Sequence, residues 1–103
     1  MTLSDTLLIA IPTYNERENI GCLLSALLAL NPTAHIVVID DNSPDGTGDL
    51  VARLSAADNR IRLIRRDRKR GIGMAYRSGF AYALEHAYRL VLTMDADFSH
   101  APE

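Results

Sequence analysis

The chain contains the stretch Leu90-Val91-Leu92-Thr93-Met94-Asp95-Ala96-Asp97, in which an apolar run ends at two carboxylates. Side chains alternate between faces along an extended chain, so Asp95 and Asp97 point the same way at the end of a predicted strand. Two carboxylates in that position can hold one hard cation. The simpler alternative is an Asp-rich turn after a buried strand, since aspartate is common in turns. The remainder of the chain favours the cation site.

Outward from this stretch, the hydrophobic pattern predicts strands and helices in strict alternation. Continuous apolar runs indicate strands that are buried on both faces of a parallel sheet. The predicted strands are residues 7–11, ended by Pro12, and residues 36–39, 61–64 and 89–94; the predicted helices are residues 16–30, residues 49–57 and a third that follows residues 71–73. This order requires parallel pairing through right-handed crossovers, with helices on both faces of the sheet.

Local signals refine the helices. Asn15 is expected to cap the first helix, with Glu18 completing a capping box. Cys22 lies in the apolar stripe of that helix and is expected to be buried and inert. Gly79 is expected to let the third helix approach the sheet closely. The predicted buried face of the third helix is Ile72, Ala75, Tyr76, Phe80, Ala83, Leu84 and Ala87.

The composition is that of one globular domain. The chain has 103 residues, of which 48% are hydrophobic and 23% charged, without a linker or an internal repeat. The longest apolar run, residues 23–30, is far shorter than the roughly 18 residues that a membrane span needs. The N-terminus lacks a basic leader, and a single cysteine excludes an internal disulfide. We therefore expect a reducing, cytoplasmic location.

Charge is unevenly distributed along the chain. The net charge is −2, yet eight of the 11 basic residues lie within residues 60–77, where Asp67 is the sole acid. Because the carboxyl ends of parallel strands meet at one edge of a sheet, the polar side chains after the first, second and fourth strands are expected to gather there. They are Tyr14, Glu16, Asp40, Asp41, Asp95 and Asp97. This layout suits an anionic ligand and a metal that share one cleft of nucleotide size.

Other site classes fit less well. Gly71-x-Gly73 precedes a helix, but Tyr76 stands where a dinucleotide-binding loop needs glycine, and the loop does not follow the first strand. The basic run beside it is compatible both with phosphate binding at a helix N-terminus and with a solvated loop. The histidines lack the spacing of zinc ligands. Ser43 and Ser99 lack the strand-turn-helix context of a nucleophile, so covalent catalysis is not predicted.

A receiver-like regulatory module is the alternative to an enzyme, since receivers also gather acids around a magnesium ion at strand tips. A receiver needs its acidic pair after the first strand, and this chain has Pro12-Thr13-Tyr14 there.

Three segments together resemble the family 2 glycosyltransferases, and among them the polyprenol (dolichyl) phosphate mannose synthases. They are residues 11–20 (IPTYNERENI), 38–47 (VIDDNSPDGT) and 94–100 (MDADFSH). The resemblance extends in order over nearly the whole chain. It implies a GT-A nucleotide-diphospho-sugar transferase fold, of α/β class, with a Rossmann-like parallel sheet truncated after the fourth strand. Residues 1–103 would be the nucleotide-sugar-binding part of that domain, incomplete at the C-terminus.

The activity that the resemblance implies is that of an inverting hexosyltransferase, which transfers mannose from GDP-mannose to a polyprenyl (dolichyl) phosphate. Carried over by position, the nucleotide contacts are Pro12, Tyr14, Glu16, Ile39 and Asp41, and the DxD motif is Asp95, Ala96 and Asp97. In that motif Asp95 and Asp97 would hold Mg²⁺ or Mn²⁺ against the donor diphosphate. Residues 69–73 resemble a Lys-Leu-Gly-Leu-Gly loop, with Arg70 in place of an apolar residue. No catalytic residue is assigned, because an acceptor phosphate is already an anionic nucleophile and needs no general base.

The chain differs from the enzymes of this family in its length. Its enzymes continue well past the DxD motif, whereas this chain ends six residues after Asp97. We expect a donor-binding half that is inactive alone, with contacts to the acceptor and the membrane surface supplied by further segments or a partner subunit. Nucleic-acid binding is not expected, whereas an uncovered edge strand favours self-association. Another family 2 sugar transferase, with a different donor or acceptor, stays as a second alternative.

Overall fold

The computed structural model describes residues 7–67 and 72–94, apart from the side chains of residues 72 and 73. In chain order its elements are β1 (Leu7–Thr13), α1 (Arg17–Leu30), β2 (His35–Asp40), α2 (Thr47–Ala57), β3 (Ile61–Arg65), α3 (Ile72–Glu85) and β4 (Leu90–Thr93). The predicted alternation of strands and helices is confirmed. The DxD motif at residues 95–97 and most of the loop at residues 69–73 lie outside the described residues.

The strands form one parallel sheet in the order β3-β2-β1-β4. The β-branched run at residues 36–39 occupies the middle of β2 and is 0% exposed. Such side chains suit a central strand, because both faces of the sheet are covered there. Burial of each of them stabilises the fold by roughly 1.5–3 kcal/mol.

Helices cover both faces of the sheet, as predicted. Ile9 and Ile11 of β1 belong to one core cluster, which includes side chains of α1 and α2. Leu8 and Ala10, at the alternate positions, belong to a second cluster with side chains of α3. The two cores are therefore separated by the sheet itself.

β1 continues past the predicted stop at Pro12, which pairs with Ile39 of β2. The carbonyl of Ala10 accepts a bond from Met94 on the β4 side, and that of Thr13 accepts one from Asp41 on the β2 side. By alternation, the backbone of Pro12 faces the β4 side, beyond the last residue of β4. Its missing N–H therefore removes no bond to β2, and the strand can continue.

The predicted capping box of α1 is wrong. Glu16 holds the N-cap position, and neither it nor Asn15 caps the helix with its own side chain. Asn15 instead has a left-handed backbone, with φ of 57°. The first amides of the helix are bound by side chains from another loop, described below.

The predicted buried face of α3 is only partly correct. Ala75 and Ala83 are buried, whereas Phe80 is 47% and Leu84 83% exposed. The reason is a close approach at Gly79, where an added Cβ would lie 2.9 Å from the Cβ of Ala10. The helix turns its small residues to the sheet, so its larger apolar side chains project to the side.

Two further predictions about helix positions are wrong. Ala87 lies beyond the end of α3 and has a left-handed φ of 61°. Cys22 is exposed, because the inward positions of α1 are taken by its neighbours Leu23 and Leu24.

Candidate functional site

The polar end of the sheet is built where β1, β2 and β3 finish side by side. The register pairs Thr13 with Asp40 and Asp40 with Arg65, so the three strands end at one level. The amide of Arg66 continues this edge by donating to the carbonyl of Asp40 at 2.8 Å. The segments that leave these strands are therefore neighbours.

Asp40 is a structural carboxylate. It is 2% exposed. One of its oxygens accepts bonds from the hydroxyls of Thr13 at 2.7 Å and Ser43 at 2.6 Å, and the other accepts the amide of Ser43 at 3.0 Å. These donors fix the turn that follows β2. Asp40 is therefore committed to its own loop, unlike its neighbour Asp41.

Asp41 forms a buried ion pair with Arg66. Their side chains are 7% and 9% exposed, and Nε of Arg66 lies 2.9 Å from Oδ1 of Asp41. The contact is not aligned as a hydrogen bond, and Oδ1 together with both Nη atoms has no hydrogen-bond partner among the described residues. Buried charged groups are normally paired and fully hydrogen-bonded. The pair therefore holds one acceptor atom and two donor atoms that are buried without a hydrogen-bond partner among the described residues.

Sequence analysis missed Arg66 as an individual site residue and counted it only in the basic run. A usable signal was its place directly after β3, at the edge where the acids gather. Together with Arg65, Asp67, Met74 and Ser78 it lines an open cavity of about 270 Å³. Asn42 closes one side of this region by donating to the carbonyl of Asp67 at 3.0 Å.

The segment after β1 carries Tyr14 and Glu16. Tyr14 is 38% exposed. The amide of Glu16 donates to the hydroxyl of Thr47 at 3.0 Å, and the amide of Arg17 donates to Oδ2 of Asp45 at 3.1 Å. Side chains of the β2–α2 loop thereby stabilise the start of α1, whose first amides have no partner within the helix.

The other predicted nucleotide contacts differ in how much of the side chain is available. Pro12 is half-buried beside Ile39 in the sheet. Ile39 itself is 0% exposed in the core under α3, so it could meet a ligand only through its main chain. Asp95, Ala96 and Asp97 lie outside the described residues.

The pKa of Asp45 is lowered from its ordinary value. Burial alone would raise it, but hydrogen bonds from Thr47 and Arg17 and the charge of Arg17 outweigh that effect. Asp45 is therefore ionised at neutral pH and is a strong acceptor for the amides that it binds.

The histidines that the structure describes pack against tyrosines. Nδ1 of His35 lies 2.6 Å from the hydroxyl of Tyr88, and the ring of His86 stacks on Tyr82. Within residues 7–67 and 72–94, no three His, Cys, Asp or Glu side chains are grouped so as to hold a metal ion. In the same part of the chain, no helix is long and apolar enough to cross a membrane.

Comparison with known proteins gives the family. Residues 8–103 match the model of glycosyl transferase family 2. The chain is 47% identical over 97 residues to polyprenol monophosphomannose synthase of Mycolicibacterium smegmatis, covering 93% of this chain and 37% of that protein. It is 44% identical over 93 residues to undecaprenyl-phosphate mannosyltransferase of Micrococcus luteus, covering 90% and 38%. It is 41% identical over 99 residues to dolichol-phosphate mannosyltransferase of Pyrococcus furiosus, covering 92% and 26%.

A solved structure matches the fold. It is the mannosyltransferase PcManGT from Pyrobaculum calidifontis in complex with GDP-Man and Mn²⁺, with a TM-score of 0.73 and 29% identity over 88% of this chain and 27% of that one. The chain thus spans well under half the length of these relatives. It belongs to glycosyl transferase family 2.

Proposed function

We propose that this family 2 chain is the donor-binding part of an inverting enzyme that transfers mannose from GDP-mannose to a polyprenyl (dolichyl) phosphate. The names of its relatives and the ligands of the matched structure support this donor and acceptor. The observation in the chain itself that carries the proposal is the buried pair of Asp41 and Arg66, with its unused donors and acceptor.

A guanine base is complementary to that pair. Guanine presents ring and exocyclic N–H donors beside a carbonyl acceptor. After a side-chain movement that exposes these buried atoms, the carboxylate of Asp41 would accept from the N–H groups and the Nη atoms of Arg66 would donate to the carbonyl. Charge-assisted bonds of this kind are short and roughly twice as strong as neutral ones. We propose this contact as the basis of base selection, with Pro12, Tyr14, Glu16 and the main chain of Ile39 completing the nucleoside site.

Asp95, Ala96 and Asp97 are proposed to bind the diphosphate, with Asp95 and Asp97 holding Mg²⁺ or Mn²⁺. The donor set fits such ions, because carboxylate oxygens are the ligands that hard divalent cations prefer. When bound, the metal neutralises charge that develops on the nucleoside diphosphate as it leaves. The arginines and the lysine within residues 65–70 are proposed to add positive charge that stabilises the diphosphate.

The reaction needs no proton transfer by the protein. The bond from mannose C1 to the β-phosphate oxygen breaks, and GDP leaves with its electron pair. An oxygen of the acceptor phosphate forms the new bond to C1 from the opposite face, which inverts the configuration. The chain contributes by binding and orienting the donor. The histidines that the structure describes, His35 and His86, are engaged with aromatic side chains.

The acceptor places the proposed reaction at a membrane surface. A polyprenyl phosphate resides in a bilayer while a sugar nucleotide is dissolved in water, and a lone cysteine fits a reducing compartment. We therefore propose the cytoplasmic face of a membrane, reached through further segments or a partner subunit. We also propose that the isolated chain self-associates at β4, where Leu90 is 61% and Leu92 57% exposed.

The proposed function is tested by mannose transfer. Radiolabelled GDP-mannose and a short polyprenyl phosphate are incubated either with the 103-residue chain or with a version extended to the length of its relatives. We expect transfer only from the extended version, because positioning both reactants can lower a barrier by roughly 7–11 kcal/mol and a donor site holds one of them. Full activity of the 103-residue chain would refute the division into a donor part and an acceptor part. Absence of transfer by the extended version would refute the proposed reaction.

A further inference from the structure

The segment after β1 is held in place by side chains of the β2–α2 loop and of the first residue of α2. We call residues 15–17 the donor segment, and Ser43, Asp45 and Thr47 the clamp. Each of three consecutive amides of the donor segment donates to a clamp side chain: Asn15 to Ser43 at 2.9 Å, Glu16 to Thr47 at 3.0 Å and Arg17 to Asp45 at 3.1 Å.

The donor segment combines a left-handed residue with a helix start that its own side chains do not cap. Asn15 has a left-handed backbone, which costs free energy for any residue that has a Cβ. Neither Asn15 nor Glu16 caps α1 with its own side chain. Without the clamp, the first amides of the helix would lose their bonds and the strained turn would lose its restraint. The conformation of this segment is therefore imposed by a loop 26 or more residues away in sequence.

The clamp is itself anchored to the core. Ser43 is held by the buried carboxylate of Asp40, and Thr47 is 0% exposed and donates through its amide to Asp45 at 2.9 Å. Arg17 returns a bond from Nη1 to the carbonyl of Gly46 at 3.4 Å. Gly46 has φ of 89°, and an added Cβ there would lie 2.6 Å from that Nη1. The two segments are thus joined by four hydrogen bonds.

We propose that Ser43, Asp45 and Thr47 are positioning residues for the nucleotide: they fix the backbone of the donor segment before the ligand arrives and so raise affinity without touching the ligand. This inference rests on the proposed function, because it places the nucleotide against Tyr14 and Glu16. A preorganised loop binds more tightly because less freedom is lost on binding.

Two substitutions at Thr47 separate positioning from general stability. Thr47→Val keeps the buried shape and removes the hydroxyl that accepts the amide of Glu16. Thr47→Ser keeps the hydroxyl and removes a buried methyl group. We expect Thr47→Val to weaken GDP binding by about tenfold, while Thr47→Ser binds like the wild type although it is less stable to urea.

Asp45→Asn gives a second arm, because it weakens the acceptor for the amide of Arg17 and for Thr47. Its matched control is Asp58→Asn, an aspartate at the C-cap of α2 that pairs with Arg60. We expect a loss of GDP affinity of roughly threefold to tenfold for Asp45→Asn and none for Asp58→Asn. Hydrogen exchange of the three donor-segment amides is measured in parallel, and exchange should accelerate in Thr47→Val and Asp45→Asn alone.

The outcomes are distinguishable. If the wild type binds GDP and affinity follows urea stability across all four variants, the positioning proposal is overturned and the proposed function stands. If the wild type does not bind GDP, the proposed function fails and the positioning proposal fails with it. Loss of affinity in Thr47→Val and Asp45→Asn, with rapid exchange of the same amides, supports both.

Discussion

The polar edge at the ends of β1 and β2 and the margin of the sheet at β4 are built in opposite ways. At the polar edge Thr13, Asp40 and Asp41 are buried, and Asp40 alone accepts three bonds. At the β4 margin Leu90 and Leu92 are more than half exposed. At the polar edge the buried carboxylates accept hydrogen bonds or form an ion pair. At the margin the described residues leave apolar surface uncovered. The proposed site thus lies where polar groups are buried.

Exposed apolar side chains occur on β4 and on α3. Leu90 and Leu92 pair with Leu7 and Ile9, which places them on the face that α1 covers elsewhere in the sheet. Phe80 and Leu84, four residues apart on α3, project from that helix with 47% and 83% exposure. Exposed apolar side chains on an edge strand are typical of an interface.

The largest expected effect is at the polar edge. Asp40→Ala removes the acceptor of three buried bonds and leaves the hydroxyl of Thr13 and the amide of Ser43 without it. We expect the free energy of unfolding to fall by about 3 kcal/mol. Urea denaturation measures it, with Asp49→Ala as the control, since that exposed ion pair contributes about 1 kcal/mol or less. Equal losses in the two variants would mean that the polar edge is no more than an ordinary surface.

A smaller effect is expected where α3 packs against the sheet. In Gly79→Ala the new Cβ would lie 2.9 Å from that of Ala10, so the helix must shift. We expect a net loss of roughly 1 kcal/mol, since overpacking outweighs the gain in helix propensity. Gly21→Ala is the matched control, because an added Cβ there meets nothing within 4 Å and should stabilise α1 by up to about 1 kcal/mol. Thermal unfolding of both variants checks the sign, and stabilisation by Gly79→Ala would contradict the close approach.

The margin itself is tested by Leu92→Glu. A charge there should abolish the concentration-dependent sedimentation that we expect of the wild type, while the free energy of unfolding changes by about 0.5 kcal/mol or less. Leu30→Glu, at a leucine on α1 that is 79% exposed, should leave association unchanged. A wild type that stays monomeric at all concentrations would exclude β4 as an interface of the isolated chain.

The smallest effect on stability is expected for the surface ion pair of Asp58 and Arg60, which lies outside both regions. Hydrogen bonds from the side chain and amide of Arg60 lower the pKa of Asp58 from 3.8 to about 2. Because the folded pKa is depressed, the contribution is complete above pH 4 and disappears as pH falls toward 2. Asp58→Asn should therefore lower Tm slightly at pH 5 and have less effect near pH 2. An unchanged difference across that range would show that the pair does not contribute through ionisation.

Most of the strands and helices that position the candidate site were predicted from the sequence, because the spacing of apolar residues reflects which positions are buried. The β-branched run of β2 was predicted to be a buried strand and Gly79 to allow a close approach, and the structure confirms both predictions. The predicted meeting of the polar segments after β1 and β2 at one edge is confirmed. Residues 95–97, which follow β4, lie outside the described residues. The strand order was not predicted. In the structure the chain moves from β1 outward to β2 and β3 and then crosses back to place β4 on the other side of β1.

Pairing between distant polar groups could not be predicted in this way. Asp40 and Asp41 are adjacent and identical in type, yet one fixes its own turn and the other pairs with Arg66. The capping of α1 by Asp45 and Thr47 replaced a local capping box that the sequence seemed to offer. Phe80 and Leu84 fitted the helical period but were displaced sideways by the small residues beside them. These outcomes depend on three-dimensional neighbours rather than on local pattern.

The most direct test of the central claim, a guanine nucleotide and metal site at the polar edge, is calorimetric titration of the chain with GDP and Mn²⁺. We expect binding by the wild type that Asp97→Ala and EDTA weaken strongly, and that Asp41→Asn weakens by about tenfold or more. Arg53→Ala, on the exposed side of α2, should bind as the wild type does. Urea midpoints measured on the same samples separate loss of contact from loss of fold. Equal affinities for Asp41→Asn and Arg53→Ala, or binding unaffected by EDTA, would contradict the account.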